Sequence, residues 1–290
     1  MAVGTYALIS LAELKTYLSI SGSTDDTILE NSIDRATARI ERHLGHNILV
    51  RSYTEWKGGN AVRAIRLSQY PINSVSGVYT GNRTALTVAS TTSSDIRVTV
   101  SVNPEAIGTG APGLIVTRQA SSGTVTTSTL PFSTYDTASE LVSAIAALTG
   151  VTATLVFDCA ATQLHPRAGG DALVGTINLT AATQGAEYVY ESETGIVHIQ
   201  SDAFPFEDTY QARFPSAYQS ICINYSAGYT TTPDDMKQAA LEVASYLYQN
   251  RKKNIGVMSE SLGDYSYTRT TQADLNEIMS SLLGNFRDIR

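Results

Sequence analysis

Charged residues are scarce in this chain, at 16% of 290 residues, where about a quarter is typical of globular proteins. With 20 Lys and Arg against 27 Asp and Glu, the formal net charge at pH 7 is −7. Binding to nucleic-acid phosphates needs clustered Lys and Arg, so this balance argues against a general affinity for nucleic acid. Ser, Thr, Gly and Tyr replace the missing charges, as is usual in β-rich proteins with hydroxyl-bearing surfaces.

Cysteine is almost absent: Cys159 and Cys222 are far apart in sequence and form no CxxC motif. Neither a disulfide framework nor a zinc site is therefore indicated, and we expect both thiols to be buried and inert. The chain also lacks a basic leader with an apolar run, and it lacks any stretch of about 20 apolar residues that could span a bilayer. We expect a protein made and kept in the cytoplasm, without a membrane partner.

Motifs for catalysis or ligand binding are weak. The segment from Gly108 to Gly113 matches G-x-G-x-x-G, but a β-like run follows it where a dinucleotide site needs a helix. His43 and His46 could share a metal across one helical turn, yet no further ligand cluster completes a shell, which favours a solvated helix end. The sequence predicts no catalytic residue, no cofactor and no metal.

Residues 80–187 differ from the rest of the chain in composition. Only 11 of these 108 residues are charged and none is lysine, whereas the other 182 residues include 36 charged ones. Strand-like runs lie near residues 96–102, 113–117, 125–130, 152–157 and 172–179. One helix lies among them, with the capping box Thr137-Ala-Ser-Glu140 at its start and Gly150 at its end. We interpret this segment as an inserted β-rich domain.

The flanks, residues 1–79 and 188–290, carry the other helix signals. Ser10 and Glu13 have the spacing of a capping box for a short helix that should run to about Ile20, and Gly22 should stop it. A second helix is predicted from Asp25 to Leu44, because apolar residues recur there every three or four positions. Gly45 should end it. Its predicted core positions are Ile28, Leu29, Ile33, Ala36, Ile40 and Leu44.

A third helix of the flanks is predicted from Thr232, which would cap it, with Pro233 as its first residue. Its predicted core positions are Met236, Ala240, Val243 and Leu247, and the cations of its last turn are Arg251, Lys252 and Lys253. Alternating runs near residues 48–67, 75–78, 188–200 and 220–225 predict strands. The expected fold class is α+β: a small helical bundle with a short antiparallel sheet, interrupted by the β-rich insertion with one helix.

The C-terminal part shows two patterns that predict contact with another chain. Residues 274–286 have apolar side chains at helical spacing, a stripe that a terminal helix cannot leave in water. Residues 259–268 alternate in polarity and could add a strand to a partner's sheet. The predicted interface residues are Leu262, Tyr265, Tyr267, Leu275, Ile278, Leu282 and Phe286. The alternative is that the last helix folds back on its own subunit.

In their order along the chain, these segments resemble the head–tail connector proteins of long-tailed bacteriophages, the adaptors that dock below the portal. In the first flank the resemblance rests on the two helices, with their Ala-x-Ala-Arg-Ile-Glu segment at residues 36–41, and on Leu67-Ser-Gln-Tyr-Pro71. In the second flank it rests on residues 223–229, 232–239 and 259–265. The long insertion is the departure from the family, whose compact members join the flanks by a short hairpin.

The resemblance implies a structural virion protein and not an enzyme: a head-to-tail adaptor that forms a ring of twelve copies in the neck. It would be assembled in the host cytoplasm. Its partners would be further copies of itself, the portal protein and the next neck or tail protein. DNA would pass through the lumen without specific binding. An acidic chain suits that passage, because a lumen rich in Lys and Arg would hold phosphates.

Two other functions fit parts of the sequence. A tail-completion, baseplate or decoration protein would share the hydroxyl-rich insertion, but it has little need of three amphipathic helices around a small sheet. A cell-wall hydrolase needs paired carboxylates in a cleft. The adjacent acids, Asp25 with Asp26 and Asp234 with Asp235, lie where helix starts favour negative charge. These considerations favour the adaptor.

Overall fold

The computed structural model describes residues 3–105, 111–199, 213–251, 259–262, 265–268 and 279–286. The chain divides into two compact units. Unit 1 consists of Met1–Arg51, Ser68–Pro71 and Ala227–Arg290, and unit 2 consists of Ser52–Leu67 and Ile72–Ser226. Helices and small antiparallel sheets are both present, which confirms the α+β class. The predicted insertion, residues 80–187, lies within unit 2, and its boundaries stay a prediction.

The helices are α1 (Leu11–Leu18), α2 (Asp26–Leu44), α3 (Ala138–Ala146) and α4 (Asp234–Asn250), with 3-10 turns at Ala161–Gln163 and Gly284–Phe286. The strands are β1 (Arg51–Lys57), β2 (Ala64–Arg66), β3 (Ile72–Thr80), β4 (Arg83–Ser90), β5 (Asp95–Asn103), β6 (Gly113–Ala120), β7 (Val125–Pro131), β8 (Val151–Leu155), β9 (Ile177–Ala181), β10 (Gln184–Gly185), β11 (Tyr188–Glu191), β12 (Ile196–Ile199), β13 (Ile221–Ala227), β14 (Ser259–Leu262) and β15 (Tyr265–Thr268). Among the described helices none is long and apolar enough to span a membrane.

Among the described residues, the strands form five small sheets. Their strand orders are β1-β13-β3-β10, β11-β12-β2, β8-β4-β9, β5-β6-β7 and the hairpin β14-β15. In the insertion, β4 pairs antiparallel with both β8 and β9, and β6 pairs antiparallel with both β5 and β7. The sheet β1-β13-β3-β10 joins distant parts of the sequence, because β13 lies between β1 and β3.

Helix α1 begins where the sequence predicts, and α2 and α4 each begin one residue later than predicted. Glu13 N–H donates to Ser10 Oγ at 3.2 Å and Ser10 N–H donates to the Glu13 carboxylate at 2.7 Å, which completes the capping box. Helix α1 ends earlier than predicted, because Ser19 adopts the left-handed conformation (φ 55°) before Gly22 is reached. Helix α2 ends at the predicted Gly45, also left-handed. Helix α4 begins one residue later than predicted, with Pro233 as its cap.

Helices α1, α2 and α4 share one apolar core in unit 1, here called the helical cluster. Five of the six predicted core positions of α2 are buried in it, but Ile28 is 40% exposed, so its prediction was wrong. Ile28 lies roughly 100° around the helix from the fully buried Leu29, so it is at the margin of the buried face. The buried members are Leu8, Ile9, Leu14, Leu29, Ile33, Ala36, Ile40, Leu44, Ile48, Met236, Ala239, Ala240, Val243, Ala244, Met279 and Leu283.

A second core in unit 2, here called the insertion core, is formed by α3 and the two three-stranded sheets of residues 83–181. All of its buried members lie between Ala85 and Ala181. The Thr137 capping box is present, with the Glu140 N–H donating to Thr137 Oγ1 at 3.3 Å. The helix ends at Ala146, before the predicted Gly150. The last of the strands predicted in the insertion begins at Ile177 instead of residue 172, because residues 171–176 form a bridge and turns.

Candidate functional site

The helical cluster includes the last described part of the chain. Residues 279–283 are helical, and Gly284–Phe286 continue as a 3-10 turn. Met279 and Leu283 are buried in the cluster, whereas Leu282 and Phe286 are only partly buried against it. The Phe286 ring stands edge-on to Tyr229, with 6.3 Å between the ring centroids. This segment contacts its own subunit, as the folded-back alternative describes, and an interface role for the exposed parts of Leu282 and Phe286 stays a prediction.

The other predicted interface residues divide into two groups. Leu275 and Ile278 lie outside the described residues. Leu262, Tyr265 and Tyr267 belong to a hairpin in which Leu262 pairs with Tyr265 and Glu260 pairs with Tyr267. Strands β14 and β15 thus pair with each other, and each strand uses one of its two edges for this pairing. Their side chains lie outside the description, and their role in contact with another chain stays a prediction.

An ionic and aromatic contact joins the end of α4 to the start of α2 within unit 1. Arg251 Nη2 lies 3.1 Å from Asp25 Oδ2, and the guanidinium stacks 3.6 Å from the centroid of the Tyr248 ring. The Tyr248 hydroxyl donates to the same carboxylate, and this hydrogen bond raises the pKa of the tyrosine. Arg251 Nη1 also donates to the Tyr248 carbonyl at 2.7 Å, so the predicted helix-end role of Arg251 is observed. Lys252 and Lys253 lie outside the described residues.

A polar groove lies at the C-terminal end of α2. It measures about 370 Å³ and is lined by Glu41, Arg42, Gly45, His46, Asn47 and Gln69. His46 is only 4% exposed and stacks on Tyr70, with 4.3 Å between the ring centroids. The prediction of a solvated helix end was therefore wrong for His46, because the stack removes its ring from water. Among the described residues, no group of three or more side chains could hold a metal ion.

In unit 2, a polar contact joins the insertion to the sheet β1-β13-β3-β10. His165 stacks on Trp56 with 4.8 Å between the ring centroids, and its ring nitrogens lie 3.0 Å from the Gly81 carbonyl and 3.3 Å from the Gln219 carbonyl. The ring therefore bridges three separate segments of unit 2. No sequence pattern points to this bridge, because the two carbonyl partners of His165 are 54 and 84 residues away.

Glu105 is a second residue of this contact that sequence reasoning missed. Its carboxylate accepts a hydrogen bond from the backbone N–H of Trp56 in the edge strand β1. Burial raises the pKa of Glu105. A half-buried carboxylate held against an edge strand accepts from a backbone N–H that no neighbouring strand pairs with. A single acid at the end of a strand forms no sequence pattern, so only the fold reveals this role.

The two cysteines are free thiols. Burial raises the pKa of Cys222 to about 12 and that of Cys159 to about 11. Both stay protonated near neutral pH, and a protonated thiol is a poor nucleophile. The prediction of buried, inert thiols is met by Cys222, whereas Cys159 is only half-buried. These side chains offer structural contacts but no reactive group.

Residues 7–109 match the family model described as head completion protein. This match to part of the chain supports the resemblance to head–tail connector proteins that the sequence indicated. The match begins before α1 and ends beyond β5, so it includes most of the first predicted flank and the start of the insertion. The chain is a structural protein of the virion's head–tail region and not an enzyme. No curated protein matches the sequence at a significant level.

Solved structures of gene transfer agent (GTA) particles show a distant likeness at 12% sequence identity over 100% of this chain. The neck of the empty particle, computed with C6 symmetry, gives a TM-score of 0.41 over 95% of the matched chain. The neck of the native particle, computed with C12 symmetry, gives 0.44 over 93%, and the native virion gives 0.38 over 94%.

Proposed function

We propose that this protein is a subunit of a twelve-copy ring that completes the head beneath the portal and receives the next neck or tail protein. The observation that carries the proposal is the head completion match over residues 7–109. That match includes α1 and α2, the two helices on which the connector resemblance rests in the first flank. The ring, its copy number and its portal partner follow from the resemblance.

The charge of the chain supports passage of DNA through such a ring. A net charge of −7 repels phosphate, so DNA can move through the lumen without being held. Neither specific DNA binding nor a membrane contact is part of the proposal.

The insertion belongs on the outer wall of the ring in this proposal. Its buried core is drawn from residues 85–181 alone, so this segment can form its core without side chains from the flanks. A domain that supplies its own core can project from a ring without disturbing the contacts between subunits. The flanks, residues 1–79 and 188–290, would then form the lumen and the surface that faces the portal.

The segment from residue 255 onward is proposed as the attachment arm. Leu282 and Phe286 keep part of their apolar surface exposed after packing on the helical cluster. Burying such side chains against the portal or a neighbouring subunit contributes about 1.5–3 kcal/mol for each large residue before ordering costs. Arg251 and Tyr248, held to Asp25, fix the point at which the arm leaves α4.

Electron microscopy of the purified protein with its portal tests the ring. We expect a hollow ring coaxial with the portal, with extra density on its outer wall. The same experiment with a variant that lacks residues 80–187 serves as the matched control, because only the outer density should be lost. Persistent monomers that do not bind portal would overturn the proposal.

Truncation after Asn254 tests the arm. We expect a protein that is less stable, because Met279 and Leu283 leave the helical cluster, but that still folds and no longer docks on portal. Leu283→Ala is the matched control: Leu283 is fully buried in the helical cluster, so this change should lower stability while the folded fraction still docks. A truncated protein that docks normally, or one that simply unfolds, contradicts the attachment arm.

A further inference from the structure

Backbone strain is concentrated in two turns of unit 2. Among the described residues, four non-glycine residues have positive φ, and three of them are Asn60 (45°), Ala61 (54°) and Gln219 (44°). The left-handed conformation costs free energy in residues that carry a side chain, and such strain persists only where the surroundings hold it. We call these turns, residues 58–63 and 213–220, the two-turn tip.

Hydrogen bonds hold the two turns against each other. Phe214 N–H donates to the Val62 carbonyl at 2.9 Å, and Arg213 Nη1 donates to the Ala61 carbonyl at 3.0 Å. The Ser220 hydroxyl lies 3.1 Å from the Ala217 carbonyl and 3.3 Å from the Pro215 carbonyl. The tip is therefore a rigid part of the surface.

The two turns also come into close contact at Gly59, which has no side chain to separate them. A Cβ added at Gly59 would lie 2.2 Å from the Pro215 carbonyl oxygen and 2.7 Å from Phe214 Cβ, closer than real Cβ atoms come. Phe214 is buried beneath the contact. Any side chain at position 59 would push the two turns apart, so glycine is required for this packing.

This rigid tip presents an aromatic side chain to solvent. Tyr218 is 89% exposed and Val62 is 42% exposed. Arg63 and Arg213 are exposed as well, and the described residues of the tip include no acid. Tyrosine and arginine are enriched among the residues that dominate binding energy at protein interfaces. The backbone of Tyr218 lies in a hydrogen-bonded turn, so binding would order mainly its side chain.

We propose that the two-turn tip binds an acidic surface of a second copy of this chain, as a contact between neighbouring subunits. The inference rests on the ring proposed above. Each copy has a net charge of −7, so its neighbour offers acidic surface to Arg63 and Arg213. Asp34, Asp234 and Asp235, for example, are exposed acids of unit 1.

A contact between a tip on one copy and a different surface on the next is heterologous, and a ring forms when the rotation that relates neighbouring copies closes after a whole turn. DNA is a poorer partner for the tip than a second copy. Two arginines neutralise few phosphates, and the remainder of the chain is acidic.

Tyr218→Ala tests the contact, with Val174→Ala as the matched control, because Val174 is equally exposed at 89% and lies outside the tip. Self-association is measured by sedimentation, alone and with portal present. We expect Tyr218→Ala to weaken it on the order of 30-fold while Val174→Ala and the unfolding midpoint change little. Arg63→Glu should weaken it too, and added salt should weaken the wild type.

A photoreactive phenylalanine derivative in place of Tyr218 identifies the partner. An adduct of two copies of this chain is the expected product. An adduct with DNA or with another virion protein, or no adduct, overturns the inference, as does normal assembly of Tyr218→Ala. In those cases rings still form and the proposed function stands. Failure of the wild type to form rings with portal would instead overturn the proposed function, and the inference with it.

Discussion

The two apolar cores of this protein are built from very different spans of sequence. The helical cluster joins Leu8 near the start of the chain to Leu283 near its end, whereas the insertion core uses residues 85–181 only. The helical cluster must therefore close the chain across the whole insertion. The cost of closing a loop grows only slowly with its length, so the flanks can accept a long inserted segment at little cost.

The surfaces of the two regions differ as well. On the three-stranded sheet of the insertion, Thr99, Thr117 and Thr127 lie opposite one another in a row across β5, β6 and β7. These positions are half-buried or exposed and carry hydroxyl groups in place of charges. In unit 1, charged side chains form ion pairs, such as Lys15 with Asp26 and Arg51 with Glu41. The low charge of residues 80–187 therefore reflects how β surfaces are solvated there.

Removal of the insertion is the strongest test of this comparison. A variant that joins Tyr79 to Tyr188 by a short Gly-Ser linker should stay soluble and should gain helical signal per residue in circular dichroism. The physical reason is that no buried member of the helical cluster lies in the deleted segment. Loss of the helical signal would show that the two cores are not independent.

Substitutions that create one cavity in either core test whether the two cores are independent. Leu141→Ala in the insertion core and Leu29→Ala in the helical cluster should each cost about 2–5 kcal/mol of unfolding free energy, because both side chains are fully buried. Hydrogen exchange should place each loss of protection mainly in the core that was changed. Val125→Ala, at an exposed position of β7, is the control and should change stability by less than about 0.5 kcal/mol. Equal loss of protection in both cores after either change would contradict separate cores.

Glu105 tests whether the insertion stabilises the sheet to which it bonds. Glu105→Ala leaves the Trp56 N–H without its acceptor and should cost about 1–3 kcal/mol, whereas Glu105→Gln keeps an acceptor oxygen and should cost less. Urea unfolding of both variants measures the difference. Equal costs for the two changes would mean that the hydrogen bond contributes nothing measurable.

The raised pKa of Glu105 also predicts a pH dependence. Between its ordinary pKa and its raised folded-state pKa, the folded protein binds more protons at this carboxyl than the unfolded chain, so stability falls as pH rises through that window. Glu105→Gln should remove this contribution. A wild type and a Glu105→Gln variant with parallel stability curves from acid to neutral pH would contradict it.

Removal of a helix cap from either region should give the smallest change in stability among these tests. Ser10→Ala and Thr137→Ala each remove the acceptor of a capping box, one at α1 and one at α3. Each should cost about 1 kcal/mol of unfolding free energy. Thermal unfolding of each single variant measures the cost, and a cost above about 2 kcal/mol would indicate a tertiary role beyond the cap.

The sequence alone determined the local features of this protein. The caps at Ser10 and Thr137 and the end of α2 at Gly45 depend on residues within a few positions of each other, so spacing predicts them. The apolar face of α2 was predictable except at Ile28, because helical periodicity does not show where a core ends. Composition marked residues 80–187 as distinct, since low charge extends over the whole segment.

The tertiary structure decided every feature that depends on distant partners. The stack of His46 on Tyr70, the bridge made by His165 and the carboxylate of Glu105 against Trp56 join residues from 24 to 84 positions apart, within reach of no local pattern. The two-turn tip is of the same kind, because Gly59 and Pro215 come into contact only when the sheets of unit 2 have formed. Local chemistry therefore fixes where elements begin and end, and burial between distant segments decides which side chains meet.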